Sequence, residues 1–363
     1  HTTGHHNAFP LLPQPGAHKN GAPIDEGLDL GILYERLRGL PSPLRALVQM
    51  NHARSSRRGS IWLGYFDSCG YDPSLPLDPA SPCFSAMGPM GTRPWDFDAM
   101  EVINGNSALG FVHMNRDWLG LLRFAPGGRL PVATANSDSH ELVHERAGYP
   151  LTLLRVPGPL SSLDDAALVA ALEGGSVGGS LGAFVWIGAR QAGSSDAFMP
   201  PSRIPLAATS LEVEIRLAAA PWVPIDELRL RLGGEVVARL SVSSGDLSAP
   251  ADPYGVAGIV RYAGVVDLSG IALSADTFLT AEAGFALPRV GDLDGDGLVD
   301  ATDNDGDDDV DADDLVDGIV LPAPTSPMDV IAPGALPMAF TNPIFIDVDG
   351  SAIYEPPMTP LLD

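Results

Sequence analysis

Cationic side chains are scarce in this sequence: Lys and Arg number 21 against 46 Asp and Glu, a net charge of −25 over 363 residues. A polyanionic surface repels nucleic acid and anionic membranes, which excludes both as partners. Long apolar runs are missing as well. The richest stretch, residues 182–188, is strand-sized and far short of the roughly 18 residues a spanning helix needs, so no membrane span is expected. Cysteine occurs only twice, at Cys69 and Cys83. The pair flanks a loop rich in Pro, Asp and Ser and either closes it as a disulfide or stays as two free thiols; the bridge is the expectation carried forward. An initiator Met and a recognisable signal peptide are also lacking. The chain opens His1-Thr2-Thr3-Gly4, and processing or truncation is expected to have removed what came first.

Hydrophobic residues make up 45%, enough for a full core, and 40 glycines with 34 prolines favour short strands and ordered loops over a helical bundle. The length points to two domains. The negative charge is concentrated: thirteen carboxylates fall within residues 292–317, where Lys and Arg are absent, and without them the net charge would be −12.

Up to about residue 155 helix-like and strand-like segments alternate. Asp29 is placed to cap a helix whose apolar positions Leu30, Leu33, Tyr34 and Leu37 have helical spacing. Strands are expected at 46–50, ending at Asn51-His52, at 99–103, and at 130–135, running into Asn136-Ser137-Asp138-Ser139-His140. A helix over 109–124 separates the last two. This alternation implies an α/β domain with parallel strands. A helix over 162–173, with Ser162 as cap and Gly174-Gly175 as stop, precedes a change of texture. Leu211, Val213, Ile215 and Leu217 then alternate with polar residues, as do Leu228, Leu230 and Leu232, and the second run turns back across Gly233-Gly234. With further strands at 258–266, 277–283 and 344–348, this half reads as an antiparallel β-sandwich-like domain. The expected domains are 1–175 and 176–363, with an acidic insertion at 291–318 in the second.

Within the insertion Asp292, Asp294 and Asp296 alternate, followed by Gly297, Asp300 and Asp303. Calcium is a hard cation that takes six to eight oxygens, and the glycine allows the sharp turn between ligands. The pattern repeats eleven residues on as Asp303, Asp305, Asp307, Asp311 and Asp314, with Asp308 in place of the glycine. The loops resemble thrombospondin type 3 or dockerin-like repeats, and structural calcium is the expected cofactor. The plainer alternative is a solvated acidic linker. Calcium loading suits an extracellular or periplasmic location.

Gly4-His5, Asn51-His52 and Ser137-Asp138-Ser139-His140 supply imidazoles and a carboxylate. The last two motifs stand at expected strand ends, where α/β barrels place their chemistry, and the donor mix suits zinc, manganese or iron. Singly, each reads as readily as a structural histidine. Together with their surroundings (Gly4-His5-His6-Asn7-Ala8-Phe9-Pro10, Asn51-His52-Ala53-Arg54, Met100-Glu101-Val102-Ile103-Asn104-Gly105 and Ser137-Asp138-Ser139-His140, in that order) they resemble the carbaryl-hydrolase-like branch of the PHP (polymerase and histidinol phosphatase) metal-dependent hydrolases. Pro221-Trp222-Val223-Pro224 and Phe340-Thr341-Asn342-Pro343-Ile344-Phe345 are similar to that branch's β-rich tail. The resemblance covers nearly all of the chain outside the acidic insertion.

The resemblance implies an incomplete distorted (β/α)7 barrel ahead of the β-sandwich-like domain, holding divalent Zn, Mn or Fe. It also implies a small-molecule substrate with a phosphate, carbamate or carboxylic ester, attacked by metal-activated water. By motif position His5, His52, Asp138 and His140 match metal ligands, and Glu101 matches an acidic residue lining the site. Arg54 would hold an anionic substrate oxygen, with a surface salt bridge as the equal alternative. The family's opening His-x-His strand, its Asp-His motif and an acidic ligand before the Gly-His would lie upstream of His1, and Ala53 stands where the family usually has proline. The expectation is therefore a partial ligand set: a fragment, a proteolytic product partnered by its own N-terminal fragment, or a degenerate relative, with activity of the isolated chain left open. The rival reading is a secreted, calcium-stabilised binding or surface module derived from these hydrolases and no longer an enzyme. Gly178-Gly179-Ser180-Leu181-Gly182 also spells the serine-hydrolase G-x-S-x-G, but a helix before it and a strand after reverse the order that elbow needs.

Overall fold

A computed structural model describes residues 4–21, 27–54, 64–78, 80–105, 108–140, 147–242, 259–286, 328 and 335–361. The chain starts with β1 (His5–Phe9), followed by α1 (Leu30–Arg38), whose buried Leu30, Leu33, Tyr34 and Leu37 fulfil the helical spacing. Asp29 is its N-cap residue, although its side chain makes no capping bond. Next come β2 (Leu47–Asn51), the short α2 (Tyr65–Cys69) and α3 (Pro82–Ser85), β3 (Ala99–Asn104), α4 (Ala108–Phe124) and β4 (Val132–Asn136). These four strands form one sheet in the order β1-β2-β3-β4; the first pair is antiparallel and the others are parallel. β3 is buried from Ala99 to Ile103, as a parallel strand covered on both faces must be, and α4 packs along it.

The rest of the described chain is β-rich. It comprises β5 (Leu151–Leu154), α5 (Asp165–Glu173), β6 (Val177–Leu181), β7 (Ala183–Gln191), β8 (Ser202–Ala207), β9 (Leu211–Ala219), β10 (Glu227–Leu232), β11 (Glu235–Ser241), β12 (Val260–Asp267), β13 (Thr277–Gly284), β14 (Met338–Thr341) and β15 (Ile344–Asp347). An eight-stranded sheet runs β11-β10-β13-β14-β6-β5, with β15 joining β13 and β8; only the β15–β8 pairing is parallel. A three-stranded antiparallel sheet, β12-β9-β7, packs on it through β7 against β13 and β14. Strict alternation buries Leu211, Val213, Ile215 and Leu217 of β9. The β10–β11 hairpin turns on Gly233 and Gly234, both at positive φ, where glycine has no steric cost. α5 is capped by Asp164, which accepts the Ala167 N–H at 2.8 Å, and not by Ser162, which sits in a preceding 3₁₀ turn.

The expected (β/α)7 barrel is not present: the described strands make three sheets, mainly antiparallel, and none closes on itself. The sandwich-like half is likewise not a separate pair of sheets, because the eight-stranded sheet takes in β5 and carries a parallel edge. Two side chains explain where the barrel stops. The outer edge of β4, which a barrel would pair with a further parallel strand, is occupied by Asn342. Its Oδ1 accepts the Ala133 N–H at 2.9 Å, and its Nδ2 donates to the carbonyls of Ala133 at 2.9 Å and Val177 at 3.1 Å. Two residues along, the Thr152 hydroxyl accepts the Ala135 N–H and donates to the Ala135 carbonyl. A carboxamide and a hydroxyl thus replace a strand, satisfying the edge that would otherwise be an aggregation template. A single large apolar cluster spans Leu30 to Leu361, and a smaller one places Val169 and Leu172 of α5 against Leu47, Ala99 and Val132.

Candidate functional site

The site lies at the edge of the four-stranded sheet where β2, β3 and β4 end. His5 opens β1 directly opposite Asn51, the last residue of β2, so the antiparallel pairing brings it beside His52. The rings meet edge-on, with His52 Nε2 2.9 Å from His5 Nδ1. Burial lowers the His52 pKa, and neighbouring His5 and His140 push the same way while Asp138 opposes them. His52 and Asp138 both have positive φ (27° and 45°), a conformation that costs a non-glycine residue about 1–3 kcal/mol and that concentrates at functional sites.

Glu101 holds this edge together from β3. One carboxylate oxygen accepts the His52 backbone N–H at 2.7 Å and the Asn104 amide at 2.9 Å, and the other accepts the Asn136 amide at 2.9 Å. The β3–β4 register shifts between Glu101 and Ile103, a local irregularity of the kind that re-aims side chains near sites. Burial pushes the Glu101 carboxyl up to about 7, against the pull of those three hydrogen bonds. Its place is therefore beneath the histidines, clasping the His52 main chain. The roles of Asn104 and Asn136 were missed from sequence. The available signal was a polar amide immediately after a run of apolar strand residues.

The structure brings the four predicted ligands to one region but not into one tight cluster. His5 and His52 touch each other, whereas Asp138 and His140 act on His52 through their charge. Among the described residues, the only three His, Cys, Asp or Glu side chains with ligand atoms within 4.8 Å of one another are Asp276, Asp347 and Asp349. Most of their oxygens already serve the chain. Asp276 accepts from Val348 and Glu355 N–H, and Asp347 accepts from Gly350, Ser351 and Ala352, which fixes the turn after β15. Next to His5, the Nε2 of His6 is closed off from solvent without a hydrogen-bond partner among the described residues, and burial lowers its pKa to about 3, with His5 and His52 adding to the effect.

Arg54 is buried, so its ion pair is not a surface salt bridge. Its buried guanidinium forks onto Asp117 of α4 at 2.6 and 2.9 Å, and also bonds Asp67 and the Tyr71 carbonyl. Burial works against that charge, but Asp117 and Asp67 outweigh it and the Arg54 pKa is raised. Asp117 gave no sequence signal, standing 63 positions away on a different element. Cys69 and Cys83 form a disulfide that ties α2 to α3. In the G-x-S-x-G stretch, Ser180 lies inside β6 with its hydroxyl on the Ala183 carbonyl, and Gly179 accommodates the Phe340 ring, which a Cβ would approach to 2.1 Å. The calcium-loop residues Asp292, Asp294, Asp296, Asp300, Asp303, Asp305, Asp307, Asp311 and Asp314 lie outside the described residues. No helix among those described is long and apolar enough to cross a membrane. Comparison with protein-family models, curated proteins and solved structures returned no match.

Proposed function

We propose that this chain carries the histidine half of a divalent-metal centre that hydrolyses ester bonds, phosphoesters in the first instance and carbamate or carboxylic esters by the same chemistry. The observation that supports it is the pairing of His5 and His52, 47 positions apart in sequence, with ring nitrogens facing at 2.9 Å on a shared sheet edge. The donor set fits zinc, manganese or iron. Ligand nitrogens at about 2.0–2.1 Å from one ion lie roughly 3.3 Å from each other in a tetrahedral site, so a small ring movement would admit the ion. His5 and His52 would hold the metal, with Asp138 and His140 arriving from the loop after β4. When bound, such a metal supplies a Lewis acid and lowers the pKa of water. The protein's own part is positional: Glu101 fixes the His52 main chain, and Asn104 and Asn136 fix Glu101. The reading carries over to this open sheet without any barrel.

The test is metal content and turnover together. After mild calcium chelation the protein should retain a transition metal and hydrolyse bis(p-nitrophenyl) phosphate. His52→Ala should lose the metal and at least about a hundredfold in rate. Retention of metal and rate by both His5→Ala and His52→Ala would refute the proposal. A second reading is favoured by the spacing of the aspartates: the chain binds calcium through residues 292–314 as a secreted structural module. Calcium bound with no transition metal retained and no turnover would favour that reading as the whole function.

A further inference from the structure

On the outward face of β7, Phe184 and Trp186 point away from the core while Ala183, Val185 and Ile187 point into it. Phe184 is 43% exposed and Trp186 is half-buried. They form one wall of a cleft of about 560 Å³. Leu153, Leu154 and Val177 from the β5–β6 edge provide the opposite wall, and Pro200 and Pro201 a further side. The volume suits a small organic molecule.

The charges in the cleft are of one sign. Among the described residues, Arg155 and Arg216 are the only ionisable ones lining it, in a chain with more than twice as many acidic as basic side chains. Arg216 stands opposite Trp186 in the β7–β9 register, with its guanidinium 5.8 Å from the indole centroid; Glu214 on the same strand is half-buried and 3.4 Å away, while Arg216 itself is largely exposed. The Arg155 side chain has no hydrogen-bond or ion-pair partner among the described residues, although its backbone N–H is held by Ser176. Guanidinium forks pair with planar carboxylates, and a flat aromatic wall beside them favours a flat apolar body.

We infer that this cleft binds an amphipathic organic anion, an aryl or alkyl carboxylate whose apolar body lies along Phe184 and Trp186 and whose carboxylate reaches Arg155 and Arg216. It uses none of the residues of the histidine edge and does not depend on the hydrolase reading. The experiment is calorimetric titration of the full chain with indole-3-acetate, 2-naphthoate and octanoate, each alongside its uncharged amide. At least one carboxylate should bind saturably with one site, and its amide at least about tenfold more weakly. Arg155→Gln combined with Arg216→Gln should reduce carboxylate affinity to that of the amide. Phe184→Ser should weaken both. These positions are on the surface, so far-UV circular dichroism should show all variants folded, and the single Arg155→Gln and Phe184→Ser variants serve if the double variant does not fold. Equal affinity for acid and amide, indifference to the arginine changes, or no saturable binding by any of the three carboxylates would overturn the inference.

Discussion

At the scale of single residues, two buried glutamates do opposite things with the same functional group. Glu101 gathers donors from three neutral groups and is pushed upward by burial, whereas Glu282 sits between two guanidiniums. Arg229 reaches one Glu282 oxygen at 2.9 Å, while Arg231 and Asn115 reach the other at 2.5 and 2.6 Å. Burial alone would raise Glu282, but Arg231 and Arg229 outweigh it and hold the carboxyl at about 2. A folded-state pKa below the unfolded value means the stabilisation is fully present above about 4.5 and is lost as pH falls towards 2. That amounts to about 3 kcal/mol for this one group. Thermal melts from pH 6 to pH 2 should show a steep loss of Tm over that window, and Glu282→Gln should flatten the slope. For Glu101, replacement by Gln turns one acceptor into a donor facing other N–H groups and should cost about 1–3 kcal/mol in urea unfolding with an unchanged m value. Glu101→Leu, which leaves the His52 N–H and both amides without an acceptor, should cost more. At this scale the sequence was legible where a residue type announces its chemistry: histidines at strand ends did meet. It was illegible where the partner was remote, as with Asp117 holding Arg54.

At the scale of elements, periodicity did most of the work. Runs such as Ala99–Asn104 and Leu211–Ala219 form strands because their apolar residues fit either a strand buried on both faces or one alternating between core and solvent. Local chemistry decides the ends, and there a two-residue error entered: Asp164 outcompetes Ser162 as a cap because its carboxylate reaches the Ala167 N–H while Ser162 is already engaged with Pro159. No periodicity describes Asn342, which acts as a surrogate strand for β4. Asn342→Ala removes partners from the Ala133 N–H and from two carbonyls in a dry setting, and should cost about 3 kcal/mol or more. Asn342→Asp should be worse, because a carboxylate would face those carbonyls with no proton to offer. Chemical denaturation of the two variants, compared with Thr152→Val at the neighbouring contact, checks the ranking.

At the scale of the whole molecule, the alternation of helix and strand was read correctly as parallel pairing of β2, β3 and β4, but the incomplete (β/α)7 barrel that the resemblance implied is not formed. Closure depends on what meets the last edge, and that is decided by side chains from elsewhere in the chain. Sequence patterns encode which face of a strand is apolar; they do not encode which distant amide will seal its flank. The seal also has a consequence in time. Residue 133 emerges from the ribosome 209 residues before residue 342, an interval of roughly 10–40 seconds at ordinary synthesis rates. Throughout that interval the outer edge of β4 lacks its Asn342 partner, and the nascent chain should recruit a chaperone until translation delivers the stopper. Ribosome-bound chains stalled short of residue 342 should therefore retain trigger-factor-type chaperones and resist release as monomers, while chains stalled late enough for residues 338–347 to have cleared the exit tunnel should let them go.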